Sequence, residues 1–200
     1  MARNQRFQKS KFSMSTKQPD LFKPNKTQAT SLSNQQLSHA QSSSENSIFP
    51  IAIVADNIEI AGNVGSLFRV ADALGVEKLY LTGTTQTPPK YKIRKAARSA
   101  DNHIPYTYEK SAIAVIEQLK QDGHTIVALE ITARSINIRD FTLNKNEKTC
   151  LIIGSENLGI SSDLLALADH HVHISMYGKN SSMNVITSCA IAVHELIKYL

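Results

Sequence analysis

Cysteine is scarce in this chain: of 200 residues only Cys150 and Cys189 carry thiols. Cys150 lies in an apolar, strand-like run and Cys189 in an apolar, helix-like one, and neither has metal-ligand spacing to a partner. They read as buried thiols of a reducing compartment, which sets aside a disulfide framework and a zinc module. Long hydrophobic runs are also missing. No stretch reaches the roughly 18 to 20 apolar residues of a membrane span, and no apolar core marks a secretory signal, so a soluble, cytoplasmic protein is expected. No internal repeat is present.

Glycine and valine are absent from residues 1–47, where Ser, Gln, Asn and Lys dominate. Such a segment cannot bury enough surface to offset the entropy of ordering, and it is expected to be a disordered arm. It holds seven basic and two acidic residues, a net +5 that equals the net charge of the whole chain. Basic arms add salt-sensitive affinity for phosphate backbones; a solubilising terminus and an organellar targeting peptide are the other readings of the same composition.

From residue 48 to 200 the pattern changes. Short β-branched runs alternate with longer helical ones, which predicts one α/β domain: a mainly parallel six-stranded sheet with helices on both faces. The strands are expected at 51–55, 78–82, 104–108, 125–131, 149–153 and 171–175. A first helix is expected from about Asn63 to Gly75, with Val64, Leu67, Phe68, Ala71 and Leu74 as its apolar stripe and Arg69 beside that stripe. A second, 111–122, should bury Ile113, Val115, Ile116 and Leu119. The last, from about Met183 to Leu200, is apolar over a wide arc, and a second copy of the chain is expected to cover it.

Three Gly- and Asn-bearing segments stand at the edges of these runs. Asn63-Val-Gly-Ser-Leu-Phe-Arg69 follows the first strand at a helix mouth, where backbone NH groups favour anions. It lacks Gly-x-Gly-x-x-Gly, which argues against a dinucleotide-binding crossover. Gly154-Ser-Glu-Asn-Leu-Gly159 begins like a phosphate-binding loop but continues Ile160-Ser161 where Lys and Ser or Thr are required. That leaves Glu156 in a glycine-bounded turn at the carboxyl end of a strand, either a site residue or a solvated loop glutamate. In Ile174-Ser-Met-Tyr-Gly-Lys-Asn-Ser-Ser-Met-Asn184, Ser182 and Asn184 can cap the last helix and can equally hold a ligand.

Other patterns are weaker. His170, His171 and His173 straddle a strand start and alternate in facing, and no Cys or carboxylate stands at ligand spacing, so no metal site is assigned. His194-Glu195 has Lys198 where a zinc-protease helix needs its second His. Lys90, Lys92, Arg94, Lys95 and Arg98 form the densest positive cluster of the otherwise neutral domain. On a helix over 91–99, Lys92, Lys95 and Arg98 recur on one side, an arrangement suited to RNA phosphates or simply to a solvated face.

Together and in this order, the three segments resemble the motifs of the SpoU (TrmH) family of SPOUT RNA methyltransferases, over residues 50–200. Ser175 departs from the family's usual Pro and Ile186 from its frequent Ser. The resemblance implies a C-terminal trefoil knot, a homodimer through the last helix, and methyl transfer from S-adenosyl-L-methionine to a ribose 2'-hydroxyl of RNA, with tRNA favoured over rRNA. It casts Arg69, Asn63, Glu156, Ser182 and Asn184 as catalytic, and Leu129, Glu130, Gly154, Gly159, Ile174, Met176, Ser182 and Met183 as cofactor-binding. Arg69, Lys92, Arg94, Lys95 and Arg98 would contact RNA, and no metal is required. Arg69 would act as base or as electrostatic stabiliser; neutralising an arginine at pH 7 costs about 8 kcal/mol, which weighs on the first role. The alternatives are a ribosomal RNA enzyme of the same type, a noncatalytic knotted RNA-binding protein, and a base-methylating SPOUT enzyme, the last disfavoured by the Asn63 to Arg69 segment.

Overall fold

β-Branched runs become the strands of one sheet in the computed structural model, which describes residues 47–200. The expected basic arm lies outside the described residues. The strands are β1 (Phe49–Asp56), β2 (Val76–Thr82), β3 (Tyr106–Glu109), β4 (Thr125–Leu129), β5 (Ile136–Asn137), β6 (Thr149–Ile153) and β7 (His170–His173). They lie in the order β3-β2-β1-β6-β4-β7-β5, and every neighbouring pair is parallel. The helices are α1 (Ala61–Ala73), α2 (Tyr91–Ala97), α3 (Ala112–Gln121), α4 (Ser162–Leu167) and α5 (Val185–Leu196).

A side-chain period of two divides the central strands between two cores. Ile51, Ile53, Leu151 and Ile153 point to one face, where they pack with α1, α2 and α5 through Leu67, Phe68, Ile93, Cys189 and Val193. Ala52, Val54, Cys150 and Ile152 point to the other, against Val115, Ile116 and Leu119 of α3 and Leu164 of α4. Cys150 and Cys189 therefore stand on opposite sides of the sheet as free thiols. Burial pushes both up to about 12.

Helices on both faces of a parallel sheet match the sequence reading, with differences in detail. The sheet has a seventh strand, the two-residue edge β5, too short to leave a hydrophobic period. The strand expected at 104–108 lies at Tyr106–Glu109. β4 ends at Leu129 and β7 runs His170–His173, so the residues expected to extend them, Glu130, Ile131, Ile174 and Ser175, form loops. α1 begins at Ala61, two residues before the expected Asn63, and Gly75 follows its cap with φ +64° as expected of a helix stop. Ile113 is exposed, and Ala112 takes its place on the buried side of α3.

The last helix differs most. Asn184 is its cap, and the α-helix ends at Leu196 with a 3-10 turn over Ile197–Tyr199. The chain itself covers Ile186, Cys189, Ala192, Val193 and Leu196, leaving Ile191 as the large apolar side chain exposed on α5. α5 presses against α1, β4 and β6, so much of the arc expected to need a partner is filled from within.

Candidate active site

The parallel strands deliver their carboxyl ends to one side, and three loops meet there: the one after β4, the one after β6, and the one between β7 and α5. They bound a cleft of about 550 Å³, within the range of small-molecule sites.

The loop after β6 is built to fold back tightly. Ser155 N donates to Gly159 O at 3.1 Å and Gly159 N to Ser155 O at 2.9 Å. A Cβ on Gly154 would lie 2.3 Å from Gly159 backbone atoms, and one on Gly159 2.3 Å from Glu130 Oε2; Gly159 also has φ +67°. Both positions thus require glycine. Glu130 clasps the turn from the neighbouring loop, its Oε2 accepting from Ile160 N at 3.1 Å and its Oε1 from Ile131 N at 2.9 Å.

The turn presents Glu156 to the start of α1. Its carboxylate accepts from Asn63 Nδ2 at 2.8 Å, from Glu59 N at 3.3 Å and from Ile60 N at 3.4 Å. Ile60, the N-cap of α1, offers no side-chain acceptor, so a glutamate 96 positions away supplies the negative end that a helix start favours. Burial raises the Glu156 pKa, but the hydrogen bonds from Asn63 and from the backbone amides of 156, 59 and 60 outweigh it, and the net shift is downward. Glu156 is thereby held as an anion with its lone pairs in use, a poor proton acceptor and a good anchor.

Asn63 carries the connection onward. Its Oδ1 accepts from Asn184 Nδ2 at 3.1 Å, and Asn184 Oδ1 accepts from Ile186 N at 2.9 Å and Thr187 N at 3.2 Å, capping α5. All three sequence segments are thus joined by one hydrogen-bonded series.

Asn63, Glu156, Ser182 and Asn184 all line the cleft, and so do Leu129, Glu130, Gly154, Gly159, Ile174, Met176 and Met183. Ile131 and Leu158, inside two of the cofactor loops that the resemblance implied, also line the cleft; sequence reasoning missed further wall residues, among them Ile60, His173 and Ser188. Ser188, one turn into α5, carried no local signal.

Arg69 is not among the lining residues. Six residues beyond Asn63, it sits about 9 Å further along the helix axis. It is exposed, on the same side of α1 as Gly65 one turn earlier, which packs against α2: a Cβ on Gly65 would lie 2.4 Å from Ile93 O. Arg69 therefore stands beside α2, whose Lys92, Arg94 and Lys95 are exposed. The helix stops at Ala97, and Arg98 takes a left-handed conformation with φ 48°, so the expected helical recurrence from Lys92 to Arg98 is broken at its last member. Arg94 Nε lies 3.9 Å from Asp101 Oδ2; among the described residues Lys92, Lys95 and Arg98 form no ion pair.

The cleft fits a nucleoside carrying a positively charged sulfonium. Its walls combine apolar side chains with Glu130 and Glu156, and among the described residues no Lys or Arg lines them.

Comparison with known proteins agrees with this geometry. The family model described as the SpoU rRNA Methylase family matches residues 50–194. A tRNA (guanosine(18)-2'-O)-methyltransferase of Borreliella burgdorferi is 28% identical over 75% of this chain and 67% of its own length. The 23S rRNA (guanosine(2553)-2'-O)-methyltransferase of Bacillus subtilis is 27% identical over 72% of this chain and 56% of its own. The chain thus spans between about half and two thirds of these curated relatives. Among solved structures, an AdoMet-bound rRNA methyltransferase from Sinorhizobium meliloti superposes with a TM-score of 0.68 at 25% identity, covering 75% of this chain and 58% of that one. The A. aeolicus TrmH/SpoU tRNA modifying enzyme gives 0.66 at 25% identity, covering 73% of each.

Proposed function

The chain belongs to the SpoU rRNA methylase family, and from that membership we propose that it methylates a ribose 2'-hydroxyl of RNA using S-adenosyl-L-methionine. The observation that carries the reading is the series Glu156–Asn63–Asn184, which ties three sequence segments around one cleft. Structures of the family in complex with AdoMet support the choice of cofactor.

S-Adenosylmethionine supplies an electrophilic methyl group on sulfur. The loops carrying Leu129, Gly154, Gly159, Ile174, Met176 and Met183 would hold it and exclude water from it. Glu156, through Asn63 and Asn184, fixes the mouth of the cleft, and Ser182 lines it with a hydroxyl that makes no hydrogen bond among the described residues and would orient the ribose. A ribose hydroxyl is a weak nucleophile, so its positioning and the stabilisation of charge on its oxygen carry much of the rate. We assign that electrostatic role to Arg69, since a guanidinium resists deprotonation and forks onto phosphate and oxyanion alike. Lys92, Arg94, Lys95 and Arg98 extend Arg69 into an RNA-facing surface.

The trefoil knot belongs to the same proposal, supported by β6 inserting between β1 and β4 and by α5 returning to pack on β4, β6 and α1. A homodimer through α5, supported by exposed Ile191, would bring Arg69 surfaces and clefts of two copies together. Among the described residues no helix is long and apolar enough to cross a membrane. The named relatives act on tRNA and on rRNA, so RNA ribose is proposed as the class, with tRNA tested first.

The test is incubation with methyl-labelled S-adenosylmethionine and unmodified tRNA or rRNA, beside Arg69→Ala. Label in alkali-resistant dinucleotides that disappears in the variant supports the assignment; label in bases, or none despite cofactor binding, overturns it.

A further inference from the structure

His173 lines the cleft, and its ring is held by one crowded hydroxyl. Ser135 Oγ has three polar neighbours: Thr132 N at 3.0 Å, Thr132 O at 2.9 Å and His173 Nδ1 at 2.9 Å. The amide donates to Oγ. The Thr132 carbonyl, which also accepts from Ser135 N at 3.1 Å, takes the hydroxyl proton in this geometry, and with the proton so placed the bond to His173 is made by a proton on Nδ1. That arrangement gives the neutral imidazole as the Nδ1–H tautomer, with Nε2 left as an acceptor.

That Nε2 has no hydrogen-bond partner among the described residues, whereas His171, two residues earlier on the same side of β7, is fully engaged. His171 Nδ1 meets Thr132 Oγ1 at 3.0 Å, its Nε2 meets Leu165 O at 2.9 Å, and the Arg134 guanidinium lies against the ring. One histidine builds the loop; the other, a residue of the cleft wall, has an Nε2 without a partner among the described residues. The backbone is pinned by Ile138 N, which donates to His173 O at 2.8 Å, and a side-chain bond from Asn137 Nδ2 to Ser175 Oγ at 2.6 Å lies beside it. The imidazole is therefore preorganised by the short edge strand and the loop leading to it.

We propose that His173 Nε2 accepts a hydrogen bond from an N–H or O–H donor of the nucleoside cofactor bound in the cleft, with Ser135 as the residue that sets its tautomer. The proposal rests on the methyltransferase reading above. It gives β5 a function: the strand aligns a cofactor-contacting side chain.

Nitrogen-15 spectroscopy of ring-labelled histidine in the full chain, assigned by subtraction with His173→Gln, reads the tautomer before any ligand is added. The Nδ1–H form is expected, with its Nε2 resonance moving on saturation with S-adenosylhomocysteine. Ser135→Ala should release the tautomer preference. By calorimetry with S-adenosylhomocysteine, His173→Phe should bind about tenfold more weakly, equivalent to about 1.4 kcal/mol, and His173→Gln, which restores an acceptor, should recover most of that loss. An Nε2–H tautomer in the unliganded protein, or wild-type affinity in His173→Phe, overturns the proposal and leaves the methyltransferase reading standing. Failure of the wild-type protein to bind S-adenosylhomocysteine overturns both.

Discussion

Asn63 and Asn184 are 121 positions apart in the chain, yet Asn184 Nδ2 donates to Asn63 Oδ1 across 3.1 Å. The orientation of both amides is dictated from the ends of the series. Glu156 accepts only, so Asn63 must turn its amino group to the carboxylate and its oxygen to Asn184; the α5 amides donate only, so Asn184 must turn its oxygen to them. Each link has one consistent direction, and together the links hold the entrance to the cleft.

Asn63→Ala and Asn184→Ala should therefore couple. Loss of the α5 cap alone costs about 0.5–2 kcal/mol, and the double variant should differ from the sum of the singles by roughly 0.5–3 kcal/mol, as for residues of one network. Urea unfolding of the four proteins measures this. Additive values would mean that the two amides act independently.

Glu156 gives a pH signature. Its folded pKa lies below the ordinary value of 4.5, so its contribution to stability is complete above that value and is lost as pH falls through the lower, folded pKa. Two other carboxylates behave alike: Glu147 is lowered by Thr125 and Asn144, and Asp169 by Lys120 and the Ile126 amide against the opposing effect of burial. The comparison is therefore between wild type and Glu156→Gln. Above about pH 5 the variant should be the less stable, because its amide turns an NH2 group toward donors; the gap should narrow toward pH 3. A gap independent of pH would assign the loss to shape and not to charge.

How much of this was legible beforehand depends on the range of the forces involved. Asn63, Glu156 and Asn184 were visible because their segments have a recognisable order and spacing, and the alternation of strand and helix is a local property of the chain. That Glu156 caps α1 was not visible, because Ile60 carries no capping signal and the acceptor arrives from 96 positions away. β5 was missed since two residues cannot show a period of two. His173 was noticed only in a histidine group set aside as a metal decoy; its assignment needs the proton count at Ser135, which no sequence pattern contains. Apolar composition overstated the exposure of α5, because Ile186, Val193 and Leu196 are covered by α1 and the sheet.

Gly65 sets the position of α2. A Cβ there would stand 2.4 Å from Ile93 O and 2.7 Å from Ala96 Cβ, and the backbone oxygen cannot rotate away. Gly65→Ala should destabilise by roughly 1–3 kcal/mol through overpacking, less the roughly 0.5–1 kcal/mol that alanine gains in a helix interior. Thermal melts should fall while affinity for S-adenosylhomocysteine holds, since Gly65 does not line the cleft. A melting temperature at or above wild type would show that the α1–α2 contact has slack.

Both thiols should be silent in the folded protein. Cys150 and Cys189 are fully buried, and burial pushes each up to about 12. The thiolate is the reactive species, so a thiol reagent at pH 8 should titrate neither cysteine in buffer and both in denaturant. Rapid labelling of one thiol in buffer would place that side chain in a region that opens locally.

Arg69 separates chemistry from cofactor binding. It is exposed, stands about 9 Å along α1 from Asn63, and does not line the cleft, so Arg69→Ala should leave the melting temperature and S-adenosylhomocysteine affinity near wild type. Methyl transfer should nonetheless fall by about 100-fold or more, the scale seen when a preorganised charge stabiliser is removed. Lys92→Ala and Lys95→Ala should behave differently, because they hold phosphates at a distance from the reaction. Each should weaken RNA binding and lower the slope of log affinity against log salt by about one, with transfer recovering at saturating RNA. Loss of maximal rate in the lysine variants, or retention of it in Arg69→Ala, would reverse the division of labour between the two helices: α2 would then hold the group that acts on the ribose, and α1 would only help to carry the strand.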